Sequence, residues 1–210
     1  MITIVNFGSG NIRAIANIYE RLNIPFKIAD DPRAVKDAEK IILPGVGAFD
    51  ETIMTLDKSG FRPVLEEEVR GRGIPVLGIC VGMQILAKKS EEGVLSGLGW
   101  IDGEVKKIDK SLLCTSPKLP HLGWNSVEVK KPNKLFNHVE EEQGFYFLHS
   151  YYFECADNED VLSTTMYGKA FACAVNHENI YGVQFHPEKS HQNGVNILKN
   201  FASLQCCDQG

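Results

Sequence analysis

Cys80 is the residue in this chain best placed to do chemistry. It is the centre of Gly78-Ile79-Cys80-Val81-Gly82, where the apolar run 74–79 meets a helix-like segment. A strand-to-helix turn of the form G-x-C-x-G is a nucleophile elbow with cysteine in the serine position, and its glycines keep side chains out of a tight bend. A helix N-terminus beside the sulfur favours thiolate, the nucleophilic form. The competing reading is a buried cysteine that only packs, as most free cysteines do. A thiol also needs a base, and Gln184-Phe185-His186-Pro187-Glu188-Lys189 closes a second apolar run, 180–185. His186 has the side chain whose ordinary pKa lies nearest neutrality. Pro187 stops strand pairing, so Glu188 can leave the strand end on the same side and orient the imidazole, the third role in a triad. Alone, the motif reads as a strand-end turn with a solvated Glu-Lys pair; beside Cys80 it reads as base and orienter. The third piece is Leu43-Pro44-Gly45-Val46-Gly47-Ala48-Phe49. Acyl transfer builds negative charge on a carbonyl oxygen, which backbone N–H groups must face. Val81, next after the nucleophile, supplies one donor by the elbow rule, and a glycine-rich loop from a neighbouring strand can supply another. As an isolated string, the loop is only a turn.

These residues need a scaffold that brings strand ends together. Residues 2–7 form an apolar run ending in Gly8-Ser9-Gly10-Asn11, followed by Ile12, Ile15, Ala16, Ile18, Tyr19 and Leu22 near one face of a 3.6-residue period. Short strands are expected at 24–28, 40–43 and 74–79, and helices at 49–56, 64–70 and 83–89. This β-α-β-β-α-β-α order predicts an α/β fold, a flavodoxin-like, doubly wound mixed sheet flanked by helices. Beyond residue 95 the texture becomes β-rich, with runs at 103–108, 126–129, 145–148, 151–154, 161–165, 170–175 and 180–185. These predict antiparallel strands, before a last helix at 195–204. No repeat or linker divides the chain, so one domain over 1–204 is expected, with 205–210 as a frayed tail.

Composition excludes several classes of function. An apolar fraction of 43%, a charged fraction of 23% and a formal charge of −5 describe a globular protein with no basic excess for nucleic acid. No apolar run approaches the ~18 residues that span a bilayer, and residues 1–7 carry no leader-like pattern. The six cysteines (80, 114, 155, 173, 206 and 207) form no CxxC pair, so no disulfide framework is expected. The six histidines (121, 138, 149, 177, 186 and 191) show no metal spacing, and neither metal nor cofactor is expected. Gly8-Ser9-Gly10 imitates a dinucleotide fingerprint, but Arg13 stands where its third glycine belongs. The acidic runs 66–68 and 140–142 read as solvated faces, and the whole as a protein of a reducing cytoplasm.

The elbow, the His-Pro-Glu motif and the PGVG loop together resemble the triad-type, class I glutamine amidotransferases over almost the whole chain. The resemblance is closer still to the glutaminase subunits that feed an imidazole-building cyclase. It rests on Gly8-Ser9-Gly10-Asn11, residues 78–84, Pro120-His121-Leu122-Gly123-Trp124-Asn125, Phe147-Leu148-His149-Ser150-Tyr151 and residues 185–190. The resemblance implies that Cys80 attacks the side-chain amide of L-glutamine, His186 shuttles the proton and Glu188 holds His186. It implies oxyanion donors at Val81 and Val46, the Gly45-Val46 peptide having to turn over before it donates. Gly47, Gln84, Glu92, Ser150 and Tyr151 are then expected to bind glutamine. Asn11, Trp124, Tyr146 and Lys189 are expected to face a cyclase or synthase partner, a (β/α)₈ barrel acting on a phosphoribosyl-formimino intermediate of histidine biosynthesis. The family turn Asp-Tyr-Gly is replaced here by Asn6-Phe7-Gly8. Open alternatives are a paralogue serving an amidating enzyme of surface-sugar synthesis, a cysteine peptidase or stress protein on the same scaffold, and a silent regulatory subunit.

Overall fold

A computed structural model describes residues 1–113 and 119–204. Cys114, Cys206, Cys207 and the expected tail 205–210 lie outside the described residues.

The elements that build the N-terminal half are β1 (Ile2–Val5), α1 (Ile12–Arg21), β2 (Phe26–Ala29), β3 (Lys40–Gly45), α2 (Phe49–Lys58), α3 (Phe61–Leu65), β4 (Val76–Cys80) and α4 (Val81–Gln84). β1, β3 and β4 are buried along their whole length. Strands covered on both faces are continuous apolar runs rather than alternating ones, and they pair in parallel here. Helix α1 buries Ile12, Ile15, Ala16, Ile18 and Tyr19, the face its 3.6-residue spacing anticipates.

The C-terminal half adds β5 (Lys89–Ser90), β6 (Gly103–Lys107), β7 (His121–Asn125), β8 (Glu128–Val129), β9 (Phe145–His149), β10 (Tyr151–Cys155), β11 (Val161–Tyr167), β12 (Lys169–His177), β13 (Ile180–Val183) and α5 (His191–Ser203). The main sheet runs β2-β1-β3-β4-β13-β12-β10-β6-β5, with β11 on β12 and β8 on β11. Pairings β10–β12, β10–β6, β11–β12, β8–β11 and β12–β13 are antiparallel, but β13 pairs β4 in parallel and so joins the two halves. In this register Gly45 lies beside Cys80 on one side, and Val183 lies beside Ile79 on the other. The strand ends carrying all three motifs therefore meet at one sheet edge. A small antiparallel sheet of β7 and β9 sets Trp124 opposite Tyr146 and His121 opposite His149.

Four local expectations change. The helix expected at 83–89 is one turn, α4, after which the chain bends and Lys89–Ser90 pairs β6. Its apolar residues Met83, Ile85, Leu86 and Ala87 are all buried, and a segment buried on every side has no period by which helix and turn can be told apart. The helix expected at 64–70 is split between α3 and a π-turn at Glu66–Gly71. Glu68 within it is buried against Arg72 rather than solvated, and Glu66 accepts from Trp100 Nε1 at 2.8 Å. Residues 121–125, for which the sequence pattern predicts no element, form strand β7.

Candidate active site

The elbow puts Cys80 at φ +56°, ψ −113°, as the last residue of β4 and the cap of α4. A positive φ on a residue with a Cβ is strained and persists only where the surroundings impose it. Here they do: a Cβ on Gly78 would sit 2.5 Å from Gly82 O, and one on Gly82 would sit 2.0 Å from Leu43 O. The bend closes only with glycine on both sides. Val81 opens α4, so its N–H has no carbonyl four residues back to bond.

His186 follows β13, and its N–H donates to Tyr146 O at 2.9 Å. Its Nδ1 bonds Glu188 Oε1 at 2.9 Å, which leaves Nε2 for the Cys80 sulfur. Burial works against charge on this ring, but the hydrogen bonds to Cys80 and Glu188 outweigh it and hold the imidazole pKa up at about 10. For Glu188, burial is likewise outweighed, by the bond from His186 and one from Asn11, and its carboxyl is held below the usual range. Asn11 Nδ2 donates to the same Oε1 at 2.7 Å, so an expected partner-facing residue also steadies the carboxylate. Cys80, His186 and Glu188 thus form one buried, hydrogen-bonded series.

The series opens into a cavity of about 510 Å³. Cys80, Val81, Val46, Gly47, Gln84, Glu92, Ser150 and Tyr151 all line it, as do His186, Asn11 and Lys189, while Glu188 stands behind His186. Gln84 is buried, and its Nε2 donates to Tyr151 O at 3.1 Å. Glu92 Oε2 accepts from the Phe49 N–H at 2.8 Å, tying the cavity wall to the start of α2. The Val46 N–H does not face the cavity's nucleophile. It donates to Ser9 Oγ at 2.8 Å, and the same hydroxyl donates back to Val46 O at 3.0 Å.

Trp124 and Tyr146 lie outside the cavity, on the small sheet beside it. Trp124 is 47% exposed and stacks on His191 with ring centroids 5.0 Å apart. Lys189 Nζ lies 5.5 Å from the centre of the Tyr146 ring. Leu122, Leu148 and Val46 are also exposed, giving this side of the molecule an apolar rim.

Three residues of the site carry no role in the sequence reading. Ser9 and His149 stand in the quoted motifs without a function, and Gln184 is only the residue before Phe185. For His149 and Gln184 the signal is a polar side chain in a run that burial would otherwise keep apolar; Ser9, half-buried in a glycine turn, gives none. Among the described residues, no group of three or more His, Cys, Asp or Glu could hold a metal ion.

The class I glutamine amidotransferase family matches residues 3–204 of this chain. Imidazole glycerol phosphate synthase subunit HisH of Leptospira borgpetersenii is 52% identical over 97% of this chain and 100% of its own length. The protein of the same description from Bdellovibrio bacteriovorus is 50% identical with the same coverage. The chain belongs to the class I glutamine amidotransferases, in the HisH family. The amidotransferase fold extends to more distant proteins. A solved structure described as a GMP synthase subunit from Thermoplasma acidophilum superimposes with a TM-score of 0.71 at 22% identity, covering 96% of this amidotransferase and 91% of that chain. A second, described as a glutamine amidotransferase, gives 0.70 at 16% identity, covering 97% and 99%.

Proposed function

We propose that Cys80, His186 and Glu188 carry the glutaminase reaction of this amidotransferase, and that the ammonia passes to a cyclase subunit of imidazole glycerol phosphate synthase. The observation that supports the residue assignment best is the bonded order sulfur, imidazole, carboxylate at the mouth of the cavity. In the forward step the Cys80 sulfur forms a bond to the glutamine carboxamide carbon, and the C–N bond breaks as His186 gives its proton to the departing ammonia. Water, deprotonated by His186, then attacks the thioester, and glutamate leaves while the proton returns to the Cys80–His186 pair. Val81 N–H faces the developing oxyanion, and Val46 N–H joins it once its peptide turns away from Ser9. Gln84, Gly47, Glu92, Ser150 and Tyr151 hold the amino-acid end of the substrate.

We place the partner, a (β/α)₈-barrel cyclase forming a heterodimer, on the rim that carries Trp124, Tyr146, Asn11 and Lys189. The names of the relatives support this choice of partner over one of surface-sugar synthesis. The exposed Leu122, Trp124 and Leu148 are the kind of apolar and aromatic surface that protein partners cover. We read residues 1–204 as one domain acting in the cytoplasm; no helix among the described residues is long and apolar enough to cross a membrane.

The test is labelling by an electrophilic glutamine analogue followed by mass mapping. Modification concentrates on Cys80 over the other five cysteines; modification concentrated on Cys206 or Cys207 overturns the assignment.

A further inference from the structure

We infer that Gln184 is a positioning residue for the nucleophile, its buried amide donating a hydrogen bond to the Cys80 sulfur and tying that sulfur through Gln84 to the wall of the substrate cavity. The inference rests on the assignment of Cys80 above and adds a group to that site.

Gln184 is 0% exposed. A primary amide removed from water costs free energy unless its donors and acceptor are partnered, so a glutamine here needs a reason beyond filling space. Its position follows from the sheet: β13 pairs β4 as far as Val183 opposite Ile79, so the next residue stands beside Cys80.

The orientation of the amide follows from one carbonyl. Tyr151 O can only accept, so the Gln84 atom 3.1 Å from it is the nitrogen Nε2. That nitrogen has a second hydrogen, and the Gln184 atom 3.0 Å away must therefore be the oxygen Oε1. Gln184 Nε2 is then turned to Cys80 Sγ, 3.8 Å away. Flipping the Gln184 amide would set two NH₂ groups against each other and leave a lone pair facing the sulfur. Tyr151 O is itself held by the His149 ring at 2.7 Å, so the starting point of this chain of bonds does not drift.

An N–H aimed at sulfur has a larger effect on the charged sulfur than on the neutral thiol, because hydrogen bonds to ionised acceptors are roughly twice as strong. His186 bonds the sulfur from the turn after β13, and Gln184 adds a donor that never changes charge. The neutral amide thus holds the sulfur in place and faces the negative charge that develops on it, without supplying or taking a proton. The other titratable groups around the cavity are His186, Glu188, His149, Glu92, Tyr151 and Lys189, and the test below leaves all of them in place.

The test reads the rate at which iodoacetamide alkylates Cys80 as a function of pH, site-resolved by mass mapping, in the full chain and in two variants. Gln184→Met keeps the approximate volume and removes the donor; Gln184→Glu keeps the shape and places a carboxyl, which only accepts when ionised, against the sulfur. The rate at pH 7 is expected to fall about 3–10-fold in Q184M, the value of one hydrogen bond of about 1 kcal/mol, and further in Q184E. The midpoint of the profile moves to higher pH in the same order. With the cyclase partner and acceptor bound, kcat falls in parallel with the alkylation rate. Profiles in folded Q184M and Q184E that superimpose on the parent overturn the inference. A measurement on the unaltered protein covers the case in which neither variant folds. The Gln184 side-chain amide resonances are expected to shift with the titration of Cys80 and to lose that shift in Cys80→Ala; resonances that stay fixed in the parent overturn the inference. Alkylation that bypasses Cys80 altogether refutes the nucleophile assignment instead, so the two failures are distinguishable.

Discussion

A single hydroxyl, that of Ser9, holds the Val46 residue that we propose as an oxyanion donor. It accepts from the Val46 N–H and donates to the Val46 carbonyl, closing both ends of the residue that has to turn. Each such bond contributes about 0.5–1.5 kcal/mol net. Ser9→Ala is therefore expected to raise the basal glutaminase turnover of the free chain by about 5–10-fold, with Ser9→Thr close to the parent; a basal rate that stays level or falls in Ser9→Ala counts against a hydroxyl latch. In the complex with the cyclase partner, Cys80→Ala is expected to lower turnover by roughly 10³-fold or more with the thermal midpoint and partner binding nearly unchanged. His186→Ala follows closely, and Glu188→Ala loses less, because an orienting carboxylate contributes less than nucleophile or base. Small and equal losses in the last two would place the base elsewhere.

At the level of elements, strands β7 and β9 are tied by two histidines. The His149 Nδ1–H donates to Tyr151 O, so its Nε2 accepts from the Nδ1–H of His121 at 2.9 Å, and His121 Nε2 accepts from Asn125 Nδ2 at 3.2 Å. Both rings are neutral. Burial pushes His121 down to about 4; burial, then the neighbouring His121, push His149 down to about 3. In the unfolded chain both titrate near the ordinary value of 6.5, so the unfolded state binds protons first as the pH falls. Their stabilisation is full above about pH 6.5 and is lost as the pH drops toward about 4 and then 3. His186 has the opposite sign: raised to about 10, its contribution is full below about 6.5 and is lost as the pH rises toward about 10. Thermal midpoints measured against pH are expected to fall on both sides of about pH 6.5. His121→Gln with His149→Gln flattens the acid arm alone. An acid arm of unchanged slope in the double variant would mean that other groups drive acid unfolding.

The whole molecule has reason to stay idle when alone. Ammonia released into neutral water is mostly ammonium, which has no lone pair to attack an acceptor, so useful hydrolysis waits for a docked partner. With Val46 N–H bonded to Ser9, one of the two proposed oxyanion donors is withheld, and loss of one such donor costs on the order of 10²–10³ in turnover. A partner seated on the rim next to Val46 can favour the turned peptide only to the extent that it binds that state better. The isolated chain is expected to be nearly inactive, and the cyclase with an acceptor analogue to raise glutamine turnover by on the order of 10²-fold or more. A purified chain that already turns over glutamine at the rate of the complex would refute gating while leaving Cys80 in its role.

What the sequence determined is whatever local rules enforce. Gly78 and Gly82 announce the elbow because nothing larger fits a bend that folds back on Leu43 O within 2.0 Å of a Cβ, and Pro187 announces the strand end that frees His186 and Glu188. The β-rich run of β9, the apolar runs of β1, β3 and β4 and the face of α1 are equally local. Tertiary structure decided the rest. The short turn after α4 lies in an apolar stretch buried on all sides, where period carries no information. Glu68 is buried because Arg72, one turn on, reaches it. Gln184 meets Cys80 only through the parallel register of β13 on β4, and Ser9 meets Val46 only where the turn after β1 reaches the end of β3. These are contacts between residues 104 and 37 positions apart. A hydrogen bond across that separation names its partner in neither neighbourhood, since the local sequence around each residue carries no information about the strand or turn that register brings beside it.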